Sequence, residues 1–191
     1  MSNVLPPLIQ ILKQLAPLKD EDANKLMDIT TSIQLNKGEH WIKAGKLNTM
    51  VGFLDEGYLR KYYIKDGIEI TDSFYFGNDF STDLPSILGK SLPYANVVAM
   101  KKTKLTTFSY HEFNELCKVI PDFEHLHRLL IELVFLRFYN RTMSFILKSP
   151  RERYEELIAY SPPVLQNAAQ YHIASYLGIS AQHLSRLRSG F

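Results

Sequence analysis

Apolar residues recur at three- and four-residue intervals at both ends of this chain, while the middle is broken into short runs. Near the start, Leu5, Leu8, Ile9, Leu12 and Leu15 share helical spacing. They predict a helical stretch from Asn3 to Thr30, with Pro6 and Pro7 fixing where a helix starts. Asp20 is expected to cap a second short helix. Glu21 and Asp22 then fall in its first turn, where the helix dipole favours acids. Between residues 33 and 110 the pattern changes to segments of about five to eight residues rich in Tyr, Phe, Ile, Val and Thr. Leu59–Ile64 and Ile68–Tyr75 flank Lys65-Asp66-Gly67. Asp-Gly between two such runs predicts a hairpin, because both residues accept positive φ. Val97–Met100 and Leu105–Phe108 read as the last strands, and Gly38, Gly45, Gly52 and Gly57 as turns. Such short, regularly spaced strands predict a small antiparallel barrel or jelly roll.

Helical spacing returns at His111, with one short helix to Val119 and a long one from Pro121 to about Lys148, stopped by Ser149-Pro150. Within the long helix, Leu126, Leu129, Leu133, Leu136, Asn140, Met143 and Leu147 follow 3-4-3-4-3-4 spacing. This is an a/d seam over about three heptads. Ile131, Val134, Phe135 and Phe145 add apolar surface, expected to pack on the barrel. A helix apolar on two sides needs two partners. The second is expected to be the same helix of another copy, with Asn140 pairing across the axis to fix register.

The last residues, Gln170 to Phe191, read QYHIASYLGISAQHLSRLRSGF: a helix, a three-residue turn and a second helix. Ile173, Ala174 and Leu177 share one face of the first, Gly178 sits at the turn, and Ser180 is placed to cap the second. Leu184 and Leu187 give the second helix an apolar side, leaving Gln182, His183, Ser185, Arg186 and Arg188 on or near the other. A small residue beside a glycine turn, followed by a polar, Arg-bearing helix, is the pattern of a DNA-reading helix-turn-helix. An ordinary helical hairpin would look similar.

Composition narrows the chemistry. Hydrophobic residues make up 46% of 191 residues, enough for a core. No apolar run approaches the ~20 residues needed to span a bilayer. The N-terminal segment has no basic stretch and no small-residue cleavage site, so a cytoplasmic location is expected. Cys117 is the sole cysteine, which excludes an intrachain disulfide and any four-cysteine cluster within one chain. Charge argues weakly for nucleic acid. The net charge is +2, and from Arg151 onward four Arg face three Glu. Two of those arginines, however, lie on the proposed reading helix, and a dimer doubles the contacts.

Order and content together resemble the Crp/Fnr superfamily of bacterial transcription regulators over nearly the whole chain. The resemblance is carried by Lys37-Gly38-Glu39, Phe53-Leu54-Asp55-Glu56-Gly57-Tyr58-Leu59-Arg60, the Phe74–Phe80 segment and Ile173-Ala174-Ser175-Tyr176-Leu177-Gly178-Ile179-Ser180. The tail resembles Bacteroidetes-type members, with Tyr-x-Ile-Ala-x-Tyr-Leu-Gly-Ile leading into Leu-Ser-Arg-x-Arg. The resemblance implies an α+β fold: an N-terminal double-stranded β-helix (jelly roll) over residues 1–120, a dimerisation helix over 121–149, and a winged-helix-like helix-turn-helix over 150–191. With the last residue at Phe191, the wing that often follows is expected to be truncated. The implied partners are double-stranded DNA and a second copy of the chain. RNA polymerase is a further partner the resemblance admits.

Carried over residue by residue, the family's reading-helix contacts fall on Ala181, Gln182, Ser185 and Arg186. Arg186 can fork to guanine O6 and N7. Gln182 replaces the common Glu and suits adenine; Ala181 reaches only a thymine methyl. Ser180 and Arg188 are assigned to phosphates, against plain roles as helix cap and solvated surface Arg.

The effector site departs from the pattern. Members that bind cyclic AMP carry a Gly-Glu pair and, further on, an Arg-Ser pair that holds the cyclic phosphate. Here Thr82 and Asp83 stand for the first pair, and Pro93-Tyr94 for the second, with Lys90 nearby. Losing the forked Arg removes charge-assisted contacts worth roughly 1.5–3 kcal/mol per hydrogen bond, and Lys is no equivalent. Cyclic nucleotides are therefore not expected in this candidate pocket, whose effector is unknown.

No cofactor is expected. Six histidines and Cys117 show no haem signature. His125 and His127, two apart on a helix, point about 200° away from each other and cannot share an ion, so they read as solvated surface groups. A cupin-type metal enzyme would need His-x-His on a strand, and the Gly-x-Ser-x-Gly, P-loop and dinucleotide motifs are missing, so an enzyme is not expected. The rival to a regulator is a β-roll signalling adaptor whose helix-turn-helix makes protein contacts.

Overall fold

The computed structural model describes residues 5–190. The expected helix start at Asn3 and the final residue, Phe191, lie outside them. The chain forms two compact units. One runs to Leu59 and resumes from Tyr75 to Leu133; the other takes Arg60–Phe74 and the chain from Val134 onward.

In the first unit, helices α1 (Pro7–Leu15) and α2 (Asp20–Asp28) precede the strands. Pro7 opens α1 because a first-turn residue needs no N–H partner. Asp20 does not cap α2. Lys19 holds the cap position without a side-chain bond, and Asp20 is the first helical residue, its carboxylate paired with Lys13. A nearby lysine competes for the oxygen that a cap would aim at the backbone. The strands are β1 (Thr31–Leu35), β2 (His40–Ile42), β3 (Met50–Glu56), β6 (Phe80–Ser81), β7 (Asn96–Ala99) and β8 (Thr103–Ser109). Strands β1, β8, β3 and β6 lie side by side in one antiparallel sheet, with Ile33 opposite Leu105 and Leu54 opposite Leu105 on the other side. Strand β2 pairs with β7.

Strand β3 is buried on both faces, so its sequence reads apolar without alternation. Val51 and Phe53 enter a core with Leu8, Ile9, Leu12, Leu26, Phe108, Phe113, Phe123 and Leu126. Leu54 points the other way, into a second core with Ile42, Leu59, Tyr75, Val97, Ala99 and Leu105. Gly52 lies inside β3 and is not a turn residue. A Cβ there would stand 3.0 Å from the Trp41 ring, whose Nε1 donates to the Ser81 carbonyl at 3.2 Å. Glycine suits this close approach, since an added Cβ would press on the ring. Gly38, Gly45 and Gly57 do occupy turns, with φ of 90°, 75° and 110°. The short helix α3 (Leu84–Gly89) follows β6.

Helix α4 (Tyr110–Val119) is capped by Ser109, whose Oγ accepts from the Glu112 N–H at 3.4 Å. The long helix α5 (Pro121–Leu147) begins in this unit. Phe123 and Leu126 have no exposed surface, and each such burial stabilises by about 1.5–3 kcal/mol. His127 is not a solvated histidine. It lies edge-on to Phe113 and shares a 3.1 Å hydrogen bond with the Tyr110 hydroxyl, and burial lowers its pKa. His125, two residues away, is exposed beside Arg128.

In the second unit, β4 (Leu59–Lys65) and β5 (Ile68–Tyr75) form the expected hairpin. Asp66 and Gly67 turn it with φ of 53° and 75°. Helices α6 (Pro150–Tyr160), α7 (Pro162–Asn167), α8 (Gln170–Leu177) and α9 (Ala181–Arg188) follow. Ser149 and Glu152 form a capping box at the start of α6. Leu157, Val164, Ile173, Ala174, Leu177 and Leu184 are the buried apolar residues of these helices. Val134 and Phe135, expected to pack on the β-roll, are exposed. Among the described residues, no helix is long and apolar enough to cross a membrane.

Candidate nucleic-acid interface

Helix α8 ends as its sequence dictates. Gly178 takes the left-handed conformation at φ 68°, its N–H bonds the Ser175 carbonyl, and the Ile179 N–H bonds the Ala174 carbonyl. These two bonds make a Schellman closure, which a Cβ-bearing residue disfavours. Two residues on, the Ser180 Oγ accepts from the His183 N–H at 3.1 Å and starts α9. Leu184, fully buried, fixes which side of α9 faces inward, with Leu187 half-buried beside that side. Ala181, Gln182, Ser185, Arg186 and Arg188 are all exposed. Gln182, Ser185 and Arg186 are spaced three and four apart and share a face; Arg188 diverges from it. Ser180 is engaged as a cap, which leaves its hydroxyl proton for another acceptor.

Several polar groups around this motif carry no sequence signal of their own. Arg141 of α5 lies with its guanidinium carbon 3.7 Å from the Tyr176 ring centre and 4.4 Å from that of Phe145, and donates to the Tyr176 carbonyl. Arg153 of α6 sits 4.7 Å from the same Phe145 ring. It donates to the Leu177 carbonyl at 3.0 and 3.2 Å and to the Lys148 carbonyl at 2.6 Å. Phe145 reaches so close to Gly178 that a Cβ there would stand 2.7 Å from Cε1. Sequence spacing gives Arg141 no role. Only the folded position of α8 reveals its partner.

On another side of α8, Ser175 replaces a strand neighbour for β5. Its Oγ accepts from the Thr71 N–H at 2.9 Å and donates to the Glu69 carbonyl at 3.2 Å. The ring of Phe74 lies 5.4 Å from that of Tyr176. Arg60 is buried, donating to Thr71 Oγ1 at 3.1 Å and to Glu69, with its Nε unpartnered. His172 is buried near it. Burial first, then the charge of Arg60, pushes its pKa down to about 4, against an opposing pull from Glu69. His172 is therefore neutral at pH 7.

The candidate effector positions do not share one environment. Thr82 Oγ1 donates to the Met50 carbonyl at 3.0 Å, and Asp83 is buried just before α3. Lys90 is exposed in a left-handed conformation. Pro93 is buried with its carbonyl accepting from Gly45, while Tyr94 is 84% exposed. Cys117 is buried, donates to the Phe123 carbonyl, and has its pKa pushed up to about 11 by burial.

The heptad seam meets two fates. Leu126 belongs to the first unit's core, and Leu129 is half-buried against it. Leu133, Leu136, Asn140 and Leu147 are exposed, and Met143 is half-buried. Phe138, 69% exposed, and Tyr139, stacked on Phe135, extend the apolar surface.

No protein-family model matches the chain. No curated protein matches it either. Solved structures do. The catabolite activator protein of Thermus thermophilus is 17% identical, covering 93% of this chain and 84% of that one, with a TM-score of 0.59. A CooA mutant from Carboxydothermus hydrogenoformans is 16% identical over 96% of this chain and 83% of its own, with a TM-score of 0.69. CLP of Xanthomonas campestris, described as a c-di-GMP-responsive global regulator, is 10% identical over 90% of each chain at the same TM-score of 0.69. The expected α+β fold is thereby borne out: this chain has the fold of these proteins.

Proposed function

We propose that this protein is a DNA-binding transcription regulator of the Crp/Fnr type. It acts in the bacterial cytoplasm as a homodimer through α5, with residues 1–120 as β-roll, 121–149 as dimerisation helix and 150–191 as DNA-binding domain. The observation that carries this is α9, a helix capped by Ser180 and pinned by Leu184, with Gln182, Ser185 and Arg186 exposed on one face. That face suits the major groove, where Arg186 forks to guanine and Gln182 to adenine. Ala181 touches a thymine methyl, while Arg188 and the Ser180 hydroxyl hold phosphates. The bare apolar half of α5 supports a second copy, with Leu133, Leu136, Asn140, Met143 and Leu147 at the interface. Selection from random duplexes, followed by gel shift, tests this. A two-fold symmetric consensus is expected. If nothing is enriched, the low net charge favours the adaptor alternative, in which α9 contacts protein.

The roll is proposed not to answer to cyclic nucleotides. Support comes from buried Pro93 and outward Tyr94 at the place of the phosphate-binding Arg-Ser pair, and from exposed Lys90. Calorimetry with millimolar cyclic AMP or cyclic GMP is expected to give no saturable heat; saturation at micromolar nucleotide would overturn this.

A further inference from the structure

We infer that Arg141 and Arg153 are positioning residues for DNA recognition: they tie the end of α8 to α5 and α6, and so set the orientation in which α9 is presented. The inference rests on the dimeric, DNA-reading function proposed above. Three observations carry it.

The two arginines take the carbonyls of Tyr176 and Leu177, the last residues of α8. Those carbonyls lack intrahelical partners and carry the negative end of the helix dipole, so cationic donors suit them. Directly beyond them the chain turns into α9. The same Arg153 also takes the Lys148 carbonyl, just past the end of α5. One guanidinium thus joins the ends of two helices.

The helix-turn-helix does not need these bonds for its own closure. Gly178 closes α8, Ser180 starts α9, and Ile173, Ala174, Leu177 and Leu184 fill the interior. Both arginines come from outside the motif. What they add is a link between the motif and α5, and the distance between two reading helices in a dimer is measured from α5.

The link is also costly. Two guanidiniums share the Phe145 ring. Burial lowers the pKa of Arg141, and the charge of Arg153 pushes the same way. Phe145 in turn closes on Gly178, so the cluster reaches the turn itself. The shared ring fixes where each guanidinium can stack. Arg is suited to this by its planar fork and its stacking, and Lys is not.

Half-site spacing tests the inference, because a purely structural role leaves it unmoved. The full chain is measured by fluorescence anisotropy against its selected operator, against operators lengthened or shortened by one base pair between half-sites, and against a single half-site. Wild type is expected to prefer one spacing. Arg141→Met is expected to lose about ten- to a hundredfold on the operator, the range for losing buried charge-assisted hydrogen bonds. It should flatten the spacing preference and keep half-site affinity within about twofold, since α9 itself is intact. Arg141→Lys should resemble Arg141→Met, showing that stacking geometry matters beyond charge. Should Arg141→Met fail to unfold cooperatively, Arg153→Gln carries the same expectation. An unchanged spacing preference in both variants overturns the inference, as does a parallel loss on operator and half-site. Wild type with no spacing preference overturns it while leaving DNA recognition standing. Wild type that selects no sequence removes the proposed function and the inference together.

Discussion

Helix α5 carries one apolar repeat and gives it two opposite environments. In its first half, Phe123 and Leu126 are sealed in a core of aromatic and aliphatic side chains. In its second half, Leu133, Leu136, Phe138 and Leu147 stand exposed, Leu147 by 73%. Spacing alone cannot separate these cases, since a helix turns the same residues to the same side whether its partner is its own chain or another. The difference lies in what the rest of the chain supplies. Helices α1, α2 and α4 lie around the first half, and the second half is left with apolar area that a stable monomer rarely shows.

The sharpest test of this contrast is at the exposed end. Leu133→Asp combined with Leu136→Asp should halve the mass in light scattering and abolish operator binding, while thermal unfolding remains cooperative. An unchanged dimer mass would place the interface elsewhere. Leu126→Ala should do the reverse. Its cavity should cost about 2–5 kcal/mol in urea unfolding without changing the oligomeric state of the folded protein. If Leu126→Ala also dissociated the protein, the two halves would not be separable.

A buried histidine extends the comparison to α8. The pKa of His172 is about 4 in the folded protein, below its ordinary value near 6.5. A histidine depressed on folding favours the unfolded state once that state takes up a proton. Stability should therefore be full above about pH 6.5, fall as pH drops toward 4, and level off below it, losing up to about 3 kcal/mol. His127, also depressed by burial, acts in the same direction. His172→Gln should flatten part of this slope in urea titrations at several pH values. An unchanged slope would mean that His172 is not buried in solution.

These cases show what the sequence discloses. Asp66-Gly67 and the Gly178–Ser180 turn were legible because local chemistry decides them: positive φ at two residues, and a hydroxyl within reach of a backbone N–H. The span of α5 was legible for the same reason, with proline at each boundary. Gly52 was not. It looks like a turn glycine until Trp41 is folded over it. Asp20 looked like a cap until Lys13 reached its carboxylate. His127 looked solvated because its partner, Tyr110, is 17 residues away, and Arg141 carried no signal because Tyr176 is 35 residues away. Polar side chains become buried through distant partners, and periodicity records only apolar ones. The five effector positions rest on the resemblance to cyclic-AMP-binding members; of these, Asp83 is buried and Tyr94 exposed.

The smallest expected effect compares two arginines one turn-fraction apart on α9. Both Arg186 and Arg188 are exposed, so neither is held by burial in the free protein. They differ in direction. Arg186 lies four residues after Gln182 and shares its face, whereas Arg188 lies about 200° around the helix from Arg186. Arg186→Ala should cost ~1–3 kcal/mol on the selected operator and relax the preference at one position per half-site. Arg188→Ala should weaken every sequence about equally and reduce the slope of affinity against salt, because a phosphate contact releases counterions without reading a base. Repeating the selection with each variant decides between them. If both lose affinity uniformly with the preference unchanged, Arg186 is a phosphate contact and specificity moves to Gln182, Ser185 or the shape of the DNA. If neither changes binding, α9 is not the reading element, and its exposed face belongs to a protein partner.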